Sequence, residues 1–260
     1  MPQHSFHLLG VRIDSIPADA VVQRVVDWAK EGGQARSVSF TNVNAVMESR
    51  TNKEFCCALR QFDLSVPDGM PLVWVGRVLH QGKVRRTAGP DVMPKILHAT
   101  QGPKFRHYFY GGKDDTLQRL MTTVAGVYPG LQIVGGFSPP FRPLTPEEEE
   151  RVCADIRDSG ANIIWIGLGC PKQELWVKQH IHKLPPAIHL PVGQAFDILA
   201  GTQRRAPKWV RESGFEWLYR LMAEPKRLWK RYVFRNTAFT WLLLRLVFQR
   251  FAVLTKANQF

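Results

Sequence analysis

Residues 163–174 read Ile-Ile-Trp-Ile-Gly-Leu-Gly-Cys-Pro-Lys-Gln-Glu, and the architecture can be worked out from this segment. Its four apolar residues indicate a strand of a parallel sheet that is buried on both faces. The glycines that follow allow a tight turn and the close approach of a ligand. Pro171 suits the first position of a helix, which the amphipathic residues 173–182 continue. The N–H groups and positive dipole end of this helix favour an anion, most often a phosphate.

A polar trio, Lys172, Gln173 and Glu174, comes directly after that turn. A helix start with a purely structural role more often carries Ser, Thr or Asp as a cap, so the trio favours a ligand-binding role. The Gly-Leu-Gly turn lacks the third glycine of a dinucleotide-binding fingerprint, and a strand, turn and helix occur in any α/β protein. A structural helix start therefore remains the alternative.

Strand and helix patterns alternate along the chain without a long unstructured gap. Further strands are predicted at residues 6–13, 36–40, 63–66, 107–110, 131–134 and 187–192, and helices at 17–30, 45–60, 89–99 and from Thr145 onward. Such alternation predicts a Rossmann-like α/β fold, a mostly parallel sheet with helices on both faces. The strand ends then share one edge, which is the expected site, and they are Asn42, Asp68, Gly112, Gly136, Gly169 and Gly193.

Three polar residues near this edge have two interpretations each. Asn42 is placed to contact a ligand, or to cap the helix over residues 45–60. Asp68 lies in Pro-Asp-Gly, an ordinary turn sequence, but a carboxylate at a strand end is also suited to act as a general base. Arg86 is suited to binding phosphate, or to lying in solvent.

The positive charge is concentrated near the end of the chain. The 260 residues carry a net charge of +13, and residues 202–260 account for +10 of it, with thirteen Lys and Arg against three Glu. We therefore divide the chain into an α/β domain, residues 1–201, and a basic helical appendage, residues 202–260. Such an appendage indicates an anionic partner: a membrane surface, a nucleic acid or a diphosphate.

The appendage interleaves cations with aromatic residues at helical spacing. Residues 238–254 are strongly apolar but are interrupted by Arg245, Gln249 and Arg250. A membrane span needs about 20 apolar residues, so an interfacial helix fits better. The alternative is a helical hairpin or a contact within a homo-oligomer, with the cations left in solvent.

Cysteine usage and the first residues indicate a cytoplasmic protein. The four cysteines form no CxxC pair and have no His at zinc spacing, which is typical of reduced thiols. The first ten residues lack the basic and apolar regions of a signal peptide. Asp114 and Asp115 are adjacent, not paired as Asp-x-Asp, so no metal site is predicted.

An ordered series of short motifs runs from residue 6 to residue 232 and resembles the WecG/TagA/CpsF glycosyltransferases. The motifs are Asn42, Pro67-Asp-Gly69, Arg86-Thr-Ala-Gly89 with Asp91, Gly167-Leu-Gly-Cys-Pro-Lys-Gln-Glu174, Val192-Gly193 with Phe196-Asp197, Arg205-Ala-Pro207, Glu216-Trp-Leu-Tyr-Arg220 and Glu224-Pro-Lys-Arg227. The resemblance implies an inverting, metal-independent transfer of a sugar from a UDP-sugar, without a cofactor. The acceptor implied is a polyprenyl-diphosphate-linked saccharide on the cytoplasmic face of the membrane, in the synthesis of a bacterial surface polysaccharide or wall polymer. The expected sugar is of the N-acetylmannosamine or glucose type.

The resemblance also implies roles for particular residues. Asp68 is expected to be the general base, and the substrate-binding set is Thr41, Asn42, Arg86, Gly169, Gln173, Glu174, Arg205, Arg220 and Arg227. The last three belong to the appendage, which in the family closes over the active site and meets the membrane. Relatives often have Thr two residues before the Asn, where this chain has Phe40, so Thr41 departs from the family pattern.

Two other classes of function compete with this interpretation. A non-catalytic nucleic-acid-binding protein would use the basic aromatic appendage on phosphates and bases, but would leave Asp68 and Gln173 unexplained. A nicotinamide-dependent oxidoreductase needs G-x-G-x-x-G after its first strand, and residues 6–13 are not followed by one. We therefore predict no nucleic-acid partner.

Overall fold

The computed structural model describes residues 5–80 and 84–257, without the side chains of residues 79–80, 227, 230–232 and 246–257. The strands in these ranges are β1 (Ser5–Leu8), β2 (Val11–Asp14), β3 (Arg36–Thr41), β4 (Leu64–Pro67), β5 (Arg106–Gly111), β6 (Gln132–Phe137), β7 (Ile163–Gly167) and β8 (Ile188–Pro191). The helices are α1 (Ala18–Glu31), α2 (Val43–Thr51), α3 (Lys53–Arg60), α4 (Met70–His80), α5 (Gly89–Ala99), α6 (Asp114–Val127), α7 (Pro146–Ser159), α8 (Lys172–His180), α9 (Ala195–Leu199), α10 (Lys208–Glu212), α11 (Glu216–Ala223) and α12 (Pro225–Ala257).

Strands β3 to β8 form one sheet in the order β4-β3-β8-β7-β5-β6, and every neighbouring pair in it is parallel. The predicted α/β fold is confirmed. Strand β7 lies inside the sheet, which explains its unbroken apolar sequence: Ile163 and Trp165 face one core, and Ile164 and Ile166 face the other.

Helices cover both faces of the sheet. Buried residues of α1, α5, α6 and α9 pack in one core, and those of α2, α3, α4, α7 and α8 pack in the other. Phe239 of α12 is only 3% exposed and belongs to the second core, as do Ala45 and Val46 of α2, and α12 packs on α2. The long C-terminal helix is therefore packed against the α/β part of the chain.

Four predicted elements differ from the structure, the last of them only at its end. Residues 6–13 form an antiparallel hairpin, β1 with β2, instead of one strand, because Leu9 and Gly10 both take positive φ (51° and 87°) and reverse the chain. The single helix predicted over residues 45–60 divides at Asn52, which is extended and caps α3 by accepting from Phe55 N.

The third difference concerns strand β6 and the site edge. Gly136 was expected at a strand end, but β6 continues through it to Phe137. An added Cβ at Gly136 would lie 2.8 Å from Met121 Sδ, so this glycine allows close packing of α6 on the sheet. A smaller difference is that α8 ends at His180, two residues earlier than expected.

Helix α12 runs for 33 residues, from Pro225 to Ala257. Phe239 faces the core, whereas Trp241 and Leu244 remain exposed. In the described part of the chain, none of the helices combines the length and the apolar content that crossing a membrane requires.

Candidate active site

A cavity of about 810 Å³ opens at the carboxyl ends of the strands. Its floor includes Asn42 after β3, Asp68 after β4, Gly112 after β5, Gly169 after β7 and Gly193 after β8. Five of the six predicted strand-end residues thus meet at one edge. Gly136 does not line the cavity, and residues 139–141, which follow β6, line it instead. A volume between roughly 300 and 1,000 Å³ is usual for a small-molecule site.

Segments after residue 201 form the opposite wall of this cavity. Residues 214–217 and 220 come from the start of α11 and the turn before it, and residues 235, 236, 239, 240 and 243 come from one face of α12. The floor and this wall are far apart in sequence, so the cavity exists only when α11 and α12 lie over the sheet edge.

Asp68 projects from the end of β4 into the cavity. Its backbone N–H donates to Thr41 O at 2.8 Å, which continues the β3–β4 pairing past the last strand residue. Burial raises the pKa of Asp68 to about 7; Glu216 and Asp91 act in the same direction, and Arg86 and Arg220 oppose it. A carboxyl group that titrates near neutral pH is suited to accept a proton during a reaction.

Arg86 lies beside Asp68 and is held by carboxylates. Its Nη1 donates to Asp91 Oδ2 at 2.8 Å, and its Nη2 donates to Glu216 Oε2 at 2.7 Å and lies 3.8 Å from Asp68 Oδ1. Its side chain is 13% exposed and does not line the cavity. The alternative that Arg86 lies in solvent is wrong, because these three carboxylates surround it, and its expected contact with a substrate stays a prediction. Burial opposes its charge, yet the carboxylates raise its pKa above the ordinary value.

The carboxylate of Asp91 forms ion pairs with three arginines. Besides Arg86, it accepts from Arg205 Nη2 at 2.5 Å and from Arg211 Nη1 at 3.0 Å. Burial alone would raise the pKa of Asp91, but Arg205 and Arg86 outweigh it and lower that pKa. Arg205 does not line the cavity, whereas Arg211 does. Asp91 therefore connects helix α5 to the chain that follows residue 201.

Gln173 braces the turn between β7 and α8. Its Oε1 accepts from Gly169 N, and its Nε2 donates to Pro191 O and to Glu174 Oε1, each at 3.0 Å. Gln173 borders the cavity but is only 6% exposed. Glu174 is 2% exposed and does not line the cavity, so the structure places it behind Gln173. The sequence pattern did not show that Gln173 forms all these bonds within the protein.

Gly169 supplies the open space of this turn. Its φ is +75°, which disfavours a side chain, and an added Cβ would meet nothing within 4 Å. The predicted approach of a ligand to the backbone therefore has room at this position.

The two residues after β3 differ in their surroundings. Thr41 is fully buried, its Oγ1 lies 3.0 Å from Ser39 Oγ, and it does not line the cavity. The structure therefore places Thr41 behind the site. Asn42 lines the cavity, and its Oδ1 also accepts from Ala45 N at 3.1 Å. The capping interpretation of Asn42 is thus confirmed, and it coexists with a position at the ligand cavity.

The arginines of the appendage differ in where they lie relative to the cavity. Arg220 lines the cavity as expected, and Arg205 lies behind it. The side chain of Arg227 lies outside the described residues, although its backbone belongs to α12. Arg211 and Arg235 line the cavity but were not singled out from the sequence. They share the helical spacing of many solvated cations, so no local pattern distinguished them.

Other cavity residues were also missed as site residues. They include Lys113 and Phe141, which is 90% exposed at the lip, and also Asp197 and Glu216, which the sequence analysis named in motifs without giving them a role. The position of Phe141 after a strand was the available signal, because residues after the ends of parallel strands border the ligand edge. Within the described residues, no cluster of three or more His, Cys, Asp or Glu is arranged to hold a metal ion.

Comparison with known proteins agrees with the motifs. Residues 6–252 match the Glycosyl transferase WecG/TagA/CpsF family. The N-acetylglucosaminyldiphosphoundecaprenol N-acetyl-beta-D-mannosaminyltransferase of Bacillus subtilis (strain 168) is 27% identical over 194 residues, 75% of this chain and 73% of that protein. The Bacillus spizizenii protein of the same name is 28% identical over 184 residues, 71% of this chain and 69% of that protein. Because the match spans nearly the whole sequence, this chain belongs to the WecG/TagA/CpsF family and is a glycosyltransferase.

Proposed function

We propose that this enzyme transfers a sugar from a UDP-sugar to a polyprenyl-diphosphate-linked saccharide, with Asp68 as the general base. The observation that carries the proposal is the Asp68 carboxyl in the strand-end cavity, with a pKa raised to about 7 by burial. Such a group is largely unprotonated just above neutral pH and still basic enough to take a proton from a hydroxyl.

The names of the relatives support the choice of substrates. Both Bacillus proteins are named for moving N-acetylmannosamine onto N-acetylglucosaminyldiphosphoundecaprenol. By that similarity we propose a diphosphoundecaprenol-linked saccharide as the acceptor. A donor of the N-acetylmannosamine type is the first choice, and one of the glucose type is the second.

The transfer is proposed as one displacement. Asp68 takes the proton of the acceptor hydroxyl as that oxygen attacks the anomeric carbon, and the bond from this carbon to the UDP oxygen breaks. UDP leaves with the bonding electrons, so the configuration at the anomeric carbon is inverted. Arg211 and Arg220 line the same cavity and would stabilise the charge that grows on the departing diphosphate. We propose neither a metal nor a cofactor for this step.

We propose that residues 1–201 hold the donor and that residues 202–260 complete the site and bind the inner face of the cytoplasmic membrane. Several large apolar side chains of the appendage are exposed, namely Trp209, Phe215, Met222, Trp229, Phe234 and Trp241. Aromatic residues with nearby cations favour a membrane interface, and each Lys or Arg near an anionic leaflet contributes about 1 kcal/mol. The appendage would then hold the active site at the membrane surface, where the lipid-linked acceptor is anchored.

The test is Asp68→Asn in a transfer assay. UDP-N-acetylmannosamine and UDP-glucose are each offered with a prenyl-diphosphate N-acetylglucosamine acceptor, and product is followed by mass spectrometry. We expect the variant to lose about 100-fold or more in kcat, because the base is removed while the side-chain size is kept. Binding of UDP, measured by calorimetry, should persist.

The matched control is Asp19→Asn. Asp19 is 86% exposed, pairs with Lys95 and lies outside the cavity, so its loss should leave the rate unchanged. Near-normal turnover by the Asp68→Asn enzyme would remove Asp68 from the mechanism.

A further inference from the structure

One nitrogen of Arg86 stands between two carboxylates that belong to different parts of the chain. Its Nη2 is 2.7 Å from Glu216 Oε2 and 3.8 Å from Asp68 Oδ1. Asp68 follows β4, whereas Glu216 begins α11, 130 residues after Arg86. The Glu216 and Asp68 side chains are each 23% exposed, and both border the cavity.

This geometry determines how strongly Arg86 can stabilise a negative charge on Asp68. An unshared guanidinium within 4 Å of a carboxylate favours the ionised form and weakens the carboxylate as a base. Glu216 takes the shorter, charge-assisted hydrogen bond from the same nitrogen, and its own charge opposes ionisation of Asp68. Interactions of this kind are stronger here than in bulk water because the Arg86 side chain is only 13% exposed and its two partners are each 23% exposed.

We propose that Glu216 is a positioning residue that holds Arg86 away from Asp68 and thereby keeps Asp68 a strong base. The inference rests on the proposed role of Asp68. Glu216 needs no contact with either substrate, since its negative charge acts on Asp68 both through Arg86 and directly.

The other charged neighbours of Asp68 do not replace Glu216 in this role. They are Arg86 in the loop before α5, Asp91 in α5, and Arg220 in α11. Asp91 is already shared among Arg86, Arg205 and Arg211. Burial raises the pKa of Asp68 most, and Glu216 adds more to that rise than Asp91 does. Because Glu216 comes from the appendage, the base is complete only when α11 lies over the sheet edge.

The experiment compares Glu216→Gln with the wild-type enzyme. Glutamine keeps an oxygen that can accept from Arg86 but removes the charge. We expect the acidic limb of the kcat/KM profile to move to lower pH, and the plateau to fall about threefold, as a weaker base predicts. Glu212→Gln is the matched control, because Glu212 is 65% exposed, pairs with Lys208 and lies outside the cavity. An unchanged acidic limb in Glu216→Gln would overturn the proposal.

A direct titration keeps the test decisive if Glu216→Gln has too little activity. The carbon-13 signal of Asp68 Cγ, assigned by its loss in Asp68→Asn, is followed against pH in both proteins. A lower midpoint in Glu216→Gln supports the proposal, and an equal or higher midpoint overturns it. Full activity in Asp68→Asn would instead contradict the proposed function, because Asp68 would not be the base. The titration midpoints of Asp68 in wild type and in Glu216→Gln would still show whether Glu216 affects its ionisation.

Discussion

The Asp68 carboxyl is held where its ionisation is unfavourable. Its pKa is about 7 in the folded protein against an ordinary 3.8, with burial as the largest cause. Between about pH 4 and pH 7 the folded chain therefore holds a proton that the unfolded chain has released. Folding stability from this group is fully present below pH 4 and is lost as the pH rises through 7.

The first prediction is that Asp68→Asn stabilises the protein at pH 8. Asparagine removes the unfavourable buried charge, so the free energy of unfolding at pH 8 should exceed the wild-type value by roughly 2–4 kcal/mol. At pH 4 the advantage should disappear, since Asp68 is then protonated. Urea unfolding at both pH values measures this, and a variant less stable than wild type at pH 8 would contradict the assigned surroundings of Asp68.

Gly167, the last residue of β7, leaves room for an aromatic side chain that supports the cavity floor. An added Cβ there would lie 2.4 Å from Phe196 Cδ2, and Phe196 is 1% exposed and packs edge to face on Phe109. The ring cannot move without displacing that core.

We therefore expect Gly167→Ala to lose about 1–3 kcal/mol of unfolding free energy through overpacking. Gly126→Ala is the matched control, because Gly126 lies in α6 and an added Cβ meets nothing within 4 Å. Alanine there should gain about 0.5–1 kcal/mol as a better helix former. Thermal unfolding of both variants measures these changes in stability. Equal changes in the two variants would show that the contact of residue 167 with Phe196 does not limit stability.

At the scale of elements, helix α2 begins at the cavity, so its cap has two possible roles. Asn42 Oδ1 accepts from Ala45 N, and Asn42 also lines the cavity. Stability reports on the cap alone, whereas turnover reports on any contact with substrate.

Replacing Asn42 by Ala and by Ser separates these roles. Alanine removes the cap and should cost about 1 kcal/mol, whereas serine is also a good cap and should keep most of the stability. If Asn42 contacts a substrate, both variants lose kcat/KM. Asn52→Ala is the control, since Asn52 caps α3 away from the cavity and should lose stability only. Full activity in Asn42→Ser would assign Asn42 to capping alone.

Helix α12 presents different faces to the core and to its surroundings. Leu228 and Phe239 are buried, and Arg235 bonds to Asn44 and Glu48 of α2. Trp229 and Trp241 remain about half exposed, at 45% and 59%. Of residues 238–254, the beginning therefore packs on the protein with one face, and the other face is available for the proposed membrane contact.

For the whole molecule, the division near residue 201 leads to a truncation experiment. Removing residues 202–260 takes away Arg211, Arg220 and Glu216, and it uncovers the part of α2 on which α12 packs. We expect residues 1–201 to fold with a lower Tm and to lose about 100-fold or more in transfer rate, because the cavity loses its cationic wall. A full transfer rate would exclude a role of the appendage in catalysis.

A shorter truncation, removing residues 246–260, is the matched control. It keeps α10, α11 and the docked part of α12, so it should retain more activity than residues 1–201 alone. Sedimentation with phosphatidylglycerol vesicles should show binding of the full chain that weakens in high salt, and little binding of residues 1–201. Equal sedimentation of all three proteins would argue against attachment through the appendage.

Much of the architecture follows from local features of the sequence. The apolar runs identify the buried strands, because a strand covered on both faces has no polar side. The helix predicted from Thr145 onward is present and begins with a capping box between Thr145 and Glu148, a local feature because its bonds join residues three apart. The hairpin at residues 6–13 was missed because Leu9, a residue that rarely takes positive φ, forms part of its turn.

The sequence by itself determined the parallel α/β fold, the edge that holds the cavity, the position of Asp68 at that edge and the family, because strand periodicity and ordered motifs are properties of short segments. Only the tertiary structure decided that Arg86 is shared by Asp68, Asp91 and Glu216, and that Thr41 and Glu174 lie behind the site. The contact from Arg86 to Glu216 spans 130 residues. Its existence depends on how α11 packs across the sheet edge, and side-chain contacts over such a separation leave no periodic signal in the chain.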